Sequence, residues 1–134
     1  MSAAAAGSTP RSAAWFVLVG CLAAAVHWAV VVGLVEGQAW PALLANVAGW
    51  LVALSVSFAG HHSLSFRGHG VPAHRSAVRF VAVSAAGFSI NETAYALLLR
   101  WSGRRYDLLL ALVLVCVALL TWWLSRHWVF RRKP

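Results

Sequence analysis

The stretch RSAAWFVLV at residues 11–19 returns 64 positions later as RSAVRFVAV at residues 75–83, and this match decides how the chain is organised. The same offset maps Phe66-Arg67 onto Phe130-Arg131. Small apolar residues match easily by chance, but Arg, Ser and Phe do not fall into register by chance at both ends of a unit. We therefore predict two copies of one unit, at residues 11–67 and 75–131.

The composition indicates an integral membrane protein. Hydrophobic residues make up 61% of the 134 residues and charged residues 10%, whereas about 25% of a soluble domain is charged. A helix of roughly 20 residues crosses the ~30 Å hydrocarbon core of a membrane, and four apolar stretches approach this length. A helix is expected because it forms all of its backbone hydrogen bonds internally. The predicted fold is all-α, with two transmembrane helices per unit, at residues 13–35, 41–59, 80–99 and 107–125.

The placement of basic residues orients the predicted helices. Two helices per unit bring both units into the membrane from the same side, which makes the repeat parallel. The two short hairpin loops hold three basic residues, Arg100, Arg104 and Arg105. The termini and the middle loop hold eight: Arg11, Arg67, Arg75, Arg79, Arg126, Arg131, Arg132 and Lys133. Because basic residues concentrate on the inner side, both termini are predicted to be cytoplasmic in a multi-pass protein of the cytoplasmic membrane.

The chain is expected to form one membrane domain over residues 11–134, preceded by a disordered tail at residues 1–10. Catalysis is not expected, because the whole chain has only three acidic residues and no available Ser-His-Asp set. Cys21 and Cys116 lie inside predicted spans, where a cysteine is usually a packing residue. No metal or cofactor is expected either. The middle histidines fit no zinc spacing: His61, His62, His69 and His74.

Glu92 is the ionisable residue whose predicted position is the most costly. It lies near the middle of the third span beside Asn91, where a charge costs roughly 2.5–3.5 kcal/mol on insertion scales. Its side chain should therefore face the bundle interior or a cavity. The offset of 64 pairs His27 with Asn91. Two interpretations stay open for His27, Asn91 and Glu92. They form either a structural clasp between helices or a functional group in a substrate path, which is a polar lining or a proton-responsive site.

A stripe of small residues on the second predicted helix favours close helix packing. Its members recur every four residues: Ala45, Gly49, Ala53 and Ser57. Their counterparts in the fourth helix are bulkier: Leu109, Val113, Val117 and Thr121. The two halves therefore differ at this face, and the second helix is either central in the bundle or a site of self-association.

The cytoplasmic ends of the second and fourth helices carry related motifs. Residues 58–67 read FAGHHSLSFR and residues 122–131 read WWLSRHWVFR. Each has an aromatic residue, a polar or basic cluster and then an apolar stretch that ends in Phe-Arg. The simple interpretation is an interfacial anchor. The alternative is a basic site for a lipid phosphate, here called the phosphate cradle, formed by His61, His62, Arg67, Arg126 and Arg131.

With these motifs the chain resembles the GtrA-like family of small membrane proteins over residues 11–131. The resemblance rests on the four-helix layout, the starts at Phe16-Val17 and Arg79-Phe80, and the two helix-end motifs. The family usually has Asn-Arg or Asn-Lys before the aromatic residue of those motifs, where this chain has His61-His62 and Ser125-Arg126. The resemblance implies a role in cell-surface polysaccharide synthesis.

The function expected from this resemblance is translocation of a polyprenyl-phosphate-linked sugar across the membrane. Membrane lipid and the lipid-linked sugar are then the partners, and nucleic acid is not expected to be one. Four helices make a thin wall around a sugar-sized cavity, so a homo-oligomer is expected. Two alternatives remain: a non-transporting anchor or partner of a glycosyltransferase, and a small proton-coupled exporter that uses Glu92.

The predicted orientation can be tested directly. A reporter that is active only in the cytoplasm should be active when it is fused at residue 134. The reason is that eight basic residues are expected to keep the termini and the middle loop inside. A fusion in the hairpin loop at Arg104 should report the opposite side. A C-terminus found outside would overturn both the orientation and the parallel repeat.

Overall fold

The computed structural model describes residues 10–64 and 73–124, and these residues form four α-helices and no strand. The helices are α1 (Pro10–Gln38), α2 (Ala42–Leu64), α3 (Ala73–Ser102) and α4 (Tyr106–Leu124). The predicted all-α class with four helices is therefore confirmed in this part of the chain. Pro10 occupies the first position of α1 and Pro41 precedes α2, where a missing N–H costs no helical hydrogen bond.

The helices pack as two hairpins. α1 packs most extensively against α2, and α3 packs against α4. Contacts of α2 with α3 and of α1 with α4 join the hairpins into a ring. The bundle thus has two seams between hairpins, which are called here the α2–α3 seam and the α1–α4 seam.

Both hairpin loops turn through a residue in the left-handed conformation. Ala39 has φ of 54° and Gly103 has φ of 59°, and the two positions are 64 residues apart. In the first loop the Trp40 N–H donates to the Leu34 carbonyl at 3.1 Å, which closes the end of α1. A left-handed residue commonly follows the last helical residue and reverses the chain. The two loops therefore turn at corresponding positions of the predicted units.

The buried core lies between the hairpins, and several of its members are also 64 residues apart. Val31 and Tyr95 are such a pair, as are Ala45 and Leu109. The complete buried cluster is Val31, Ala45, Tyr95, Leu109, Leu110 and Val113. Both predicted units thus contribute corresponding positions to one core, while the parallel arrangement in a membrane stays a prediction.

The outer surface of the bundle is strongly apolar. Val83 is 74% exposed and Trp101 75%, and long runs of Leu and Val on all four helices face outward. An apolar surface of this extent is rare on soluble monomers and is typical of a protein that meets lipid or a partner. Within the described residues, two segments are long and apolar enough to cross a membrane, Val17–Gln38 and Ala42–Gly60. The apolar part of α4, Tyr106–Leu120, is shorter, so spans by α3 and α4 remain predictions.

The small-residue stripe packs α2 closely against α1, as the sequence predicts. Ala45, Gly49 and Ala53 are buried, and Ser57 is partly buried. A Cβ atom at Gly49 would lie 2.6 Å from His27 Cδ2 and 2.9 Å from the His27 carbonyl oxygen. Only a glycine fits at this contact, and the stripe therefore serves the α1–α2 hairpin. Self-association through the same face is not tested.

The predicted tail at residues 1–10 lies outside the described residues except for Pro10, which already belongs to α1. The middle loop at residues 65–72 and the C-terminal segment at residues 125–134 also lie outside them.

Gly49→Ala should destabilise the hairpin, because the new methyl group meets the backbone and ring of His27. Overpacking of this kind costs roughly 1–3 kcal/mol. Gly33→Ala is the matched control, since a Cβ at Gly33 meets nothing within 4 Å and alanine is the better helix former by about 1 kcal/mol. Thermal unfolding in detergent micelles should show a lower midpoint for Gly49→Ala and an equal or higher one for Gly33→Ala. Equal midpoints would refute the close contact.

Candidate functional site

A hydrogen-bonded cluster of four polar side chains joins three of the helices. His27 Nε2 lies 2.7 Å from Asn46 Oδ1. The Asn46 Nδ2 group donates to Asn91 Oδ1 at 3.0 Å and to Glu92 Oε2 at 2.6 Å. We call His27, Asn46, Asn91 and Glu92 the polar hub. Asn46 is fully buried, whereas Glu92 is partly exposed.

The hydrogen-bond partners of Asn46 determine the positions of its Oδ1 and Nδ2 atoms. Two acceptor oxygens, from Asn91 and Glu92, face the Nδ2 group, which has two protons to donate. The Oδ1 atom must then accept, so the bond from His27 requires a proton on Nε2. The hub thus assigns both the amide orientation of Asn46 and the proton position on the His27 ring.

Helix geometry explains why these four side chains meet. Asn46 lies four residues after the start of α2, about 6 Å along the helix, so the hub is nearer the hairpin loops than the termini. Gly49 lets α1 approach closely enough for His27 to reach Asn46. Asn91 and Glu92 are consecutive on α3 and differ by about 100° around its axis. Asn91 therefore points inward and Glu92 lies at the side of the bundle.

The structure brings together the three intramembrane residues singled out from the sequence. His27 and Asn91 bond to the same amide, although they do not bond to each other. The residue that joins them, Asn46, was missed. Its signal was an Asn inside an apolar run, but its counterpart at the offset of 64 is Leu110, so comparison of the units did not point to it.

The hub supplies directional contacts where apolar packing supplies few. Every buried side-chain nitrogen and oxygen in the described residues has a hydrogen-bond partner. Helix association in lipid depends on close packing and interhelical hydrogen bonds, because lipid tails are as apolar as Leu. Interhelical bonds contribute roughly 0.6–2 kcal/mol each, whereas an orphaned buried group costs roughly 1–3 kcal/mol.

An aromatic pair adjoins the hub along the α2–α3 seam. The Trp50 and Phe88 rings stack with centroids 4.6 Å apart and planes 13° from parallel. Trp50 Nε1 donates to Ser84 Oγ at 3.0 Å. Trp50 follows Asn46 by one helical turn and Phe88 precedes Glu92 by one turn. The pair therefore lies next to the hub on the side of the chain termini.

Residues near the hairpin loops tie α4 to α1. Trp28 Nε1 donates to the Asp107 carbonyl oxygen at 3.0 Å, and the Tyr106 hydroxyl donates to Glu36 Oε1 at 2.7 Å. Arg105 forms a two-pronged ion pair with the Asp107 carboxylate. This bond raises the pKa of the Arg105 guanidinium above its usual value, because the carboxylate favours the charged form. The bonds made by Trp28 and Tyr106 thus hold the hairpins together, whereas the ion pair stays within the second hairpin.

The predicted phosphate cradle falls outside what the structure describes. His61 and His62 belong to the last turn of α2, but their side chains are not among the described ones. The other three members lie outside the described residues altogether: Arg67, Arg126 and Arg131. The cradle therefore stays a prediction from the sequence. In the described part of the chain no group of three or more potential metal ligands occurs.

Comparison with known proteins identifies one family. The family model described as GtrA/DPMS, transmembrane domain, matches residues 15–130. No curated protein and no solved structure matches the chain. The match covers all four helices from the second turn of α1 onward and includes every residue of the polar hub.

Asn46→Ala should destabilise the bundle by roughly 1–3 kcal/mol, because it leaves His27, Asn91 and Glu92 without their common partner. Glu92→Gln is the control, since the Gln carbonyl oxygen can still accept from Asn46. Thermal or denaturant unfolding in micelles would show a large loss for the first variant and a small change for the second. If Glu92→Gln lost as much as Asn46→Ala, the carboxylate charge itself would be needed for folding.

Proposed function

The chain belongs to the GtrA/DPMS transmembrane-domain family, and from that membership we propose that it moves a polyprenyl-phosphate-linked sugar across the cytoplasmic membrane. The family match supports a membrane protein with a role related to glycosyl lipids. Transport of the lipid-linked sugar, for use in cell-surface polysaccharide synthesis, is the finer step proposed here.

The polar hub is the observation that supports transport most directly. A sugar carries many hydroxyl groups, and each hydroxyl that enters hydrocarbon without a hydrogen-bond partner costs several kcal/mol. The hub places an imidazole, two amides and a carboxylate inside an otherwise apolar bundle. Glu92 is partly exposed at the side of the bundle, where it can meet a headgroup whose lipid tail stays in the bilayer.

The phosphate would enter at the end of the bundle that carries the termini. With both termini in the cytoplasm, the predicted cradle lies on the side where nucleotide-activated sugars are available. Arg126 is its principal member in this proposal, because a guanidinium binds two phosphate oxygens at once. The proposed route therefore runs from a basic cytoplasmic site toward the hub and the hairpin loops.

The self-contained geometry of the hub also supports a second candidate, a non-transporting anchor or partner of a glycosyltransferase. Asn46 uses both of its donor protons within the protein, as a purely structural clasp would. A third candidate, the small proton-coupled exporter, depends on Glu92 alone. Glu92 accepts a hydrogen bond from the neutral Asn46 amide. This contact does not favour proton exchange, so the exporter is supported only by the presence of the carboxylate.

Reconstitution separates the three candidates. Purified protein in liposomes should make a fluorescent polyprenyl-phosphate sugar in the inner leaflet accessible to an added reagent, faster than protein-free liposomes do. An anchor would leave that rate unchanged and would bind a glycosyltransferase instead. An exporter would leave that rate unchanged and would instead move its own cargo at a pH-dependent rate that Glu92→Gln abolishes. Absence of any acceleration, with folded protein, would overturn the transport proposal.

Arg126→Lys should weaken binding of a polyprenyl phosphate several-fold, because Lys keeps the charge but loses the two-pronged contact. Arg132→Lys is the matched control, since Arg132 lies past the helix-end motif and is expected to meet only anionic lipid, at ~1 kcal/mol. Native mass spectrometry of the purified variants measures both. Equal effects from the two substitutions would show that Arg126 is an interfacial anchor and would remove the cradle.

A further inference from the structure

We infer that the α2–α3 seam binds the sugar ring of the lipid-linked substrate, with the Trp50–Phe88 pair against the ring and Glu92 toward its hydroxyl groups. The inference rests on the proposed function and adds to it a place and a set of specificity residues. It concerns the sugar itself, whereas the predicted cradle concerns the phosphate.

The aromatic pair offers the surface that a sugar ring needs. Trp50 and Phe88 stack on one another, so the inner face of each ring is covered by the other ring. Both side chains are half-buried rather than enclosed in the core. The C–H face of a hexose is apolar and packs on the apolar face of an aromatic ring. The bond from Trp50 Nε1 to Ser84 Oγ holds the indole in place.

Glu92 supplies the polar part of the same surface. Its Oε2 atom accepts from Asn46, and in the described part of the chain no hydrogen bond reaches Oε1. A carboxylate oxygen accepts bonds from hydroxyl groups, and bonds to charged groups are the stronger kind. Glu92 lies one turn from Phe88 along α3, so the two residues are about 6 Å apart along the helix axis. That spacing matches one hexose.

The second seam of the bundle shows that this lining is specific to one side. At the offset of 64, the α1–α4 seam holds the counterparts of the α2–α3 seam. Glu92 corresponds to Trp28 and Asn91 to His27, so these two positions are polar or aromatic in both seams, whereas four other positions are polar or aromatic only in the α2–α3 seam. Trp50 corresponds to Leu114, Phe88 to Ala24, Ser84 to Gly20 and Asn46 to Leu110. Packing alone would be served by the same residues in both seams. The aromatic and polar groups of the α2–α3 seam therefore point to a ligand on that side.

The test compares two ligands on the full-length protein. Binding of a short-chain polyprenyl-phosphate hexose and of the bare polyprenyl phosphate is measured in micelles by native mass spectrometry. The unaltered protein should prefer the hexose-bearing lipid. Trp50→Leu, which installs the residue of the other seam, should weaken binding of the hexose-bearing lipid roughly fivefold to tenfold and leave the bare lipid unchanged.

Three further variants separate ligand binding from folding. Trp50→Phe keeps an aromatic face and should keep most of the preference, even though it loses the bond to Ser84. Ser84→Ala removes only that bond and should lower the preference less than Trp50→Leu does, because the aromatic face remains but is held less firmly. Trp28→Leu removes a tryptophan that bonds across the other seam and should lower stability without changing the preference. If Trp50→Leu does not fold, Phe88→Leu replaces it, since one ring of the pair remains.

The outcomes bear on the two proposals separately. In one outcome the unaltered protein prefers the hexose-bearing lipid, and Trp50→Leu and Phe88→Leu show the same preference. That result overturns sugar binding at the α2–α3 seam and leaves the proposed function standing. Loss of binding to both lipids in Trp50→Leu, or loss of preference in Trp28→Leu, also overturns the seam, because the effect would then be structural. An unaltered protein that binds neither lipid overturns the proposed function and this inference with it.

Discussion

The arrangement of this bundle depends on the side-chain amide of Asn46. In an apolar solvent, lipid tails and Leu side chains are nearly equivalent, so apolar burial does little to favour one helix arrangement over another. A buried amide without partners is costly in that setting, and Asn46 finds its partners on α1 and on α3. Its bonds therefore specify how three helices meet, and the absence of a side chain at Gly49 lets them meet closely.

Sequence reasoning reached the frame of the molecule and only part of its interior. The apolar runs predicted four helices, and the offset of 64 placed His27 and Asn91 at related positions, where they share one partner. Asn46 was missed because its counterpart is an apolar Leu110. Trp50 and Phe88 were missed because the sequence does not show whether an aromatic residue in an apolar helix faces lipid or a neighbouring helix. The structure stacks the two rings between α2 and α3.

The two halves of the chain share their frame and differ in their chemistry. Both hairpins turn at a left-handed residue, Ala39 or Gly103, and both send corresponding residues into the core. Four side chains of the α2–α3 seam correspond to small or aliphatic residues in the other half, namely Asn46, Trp50, Ser84 and Phe88, whereas Glu92 corresponds to Trp28. The two halves therefore share their turns and core positions but differ in the side chains of their seams.

The bonds between the two hairpins also constrain how the bundle can move. Glu36 and Trp28 on α1 reach the first turn of α4, and Asn46 reaches α3 from the second turn of α2. These bonds join the two hairpins at the end of the bundle that carries the hairpin loops. The Trp50–Ser84 bond also joins the hairpins, so a motion that keeps all of these bonds can separate them only farther toward the end that carries both chain termini. A headgroup that arrives from the end with the termini would meet the separated helices first and the bonds near the loops last.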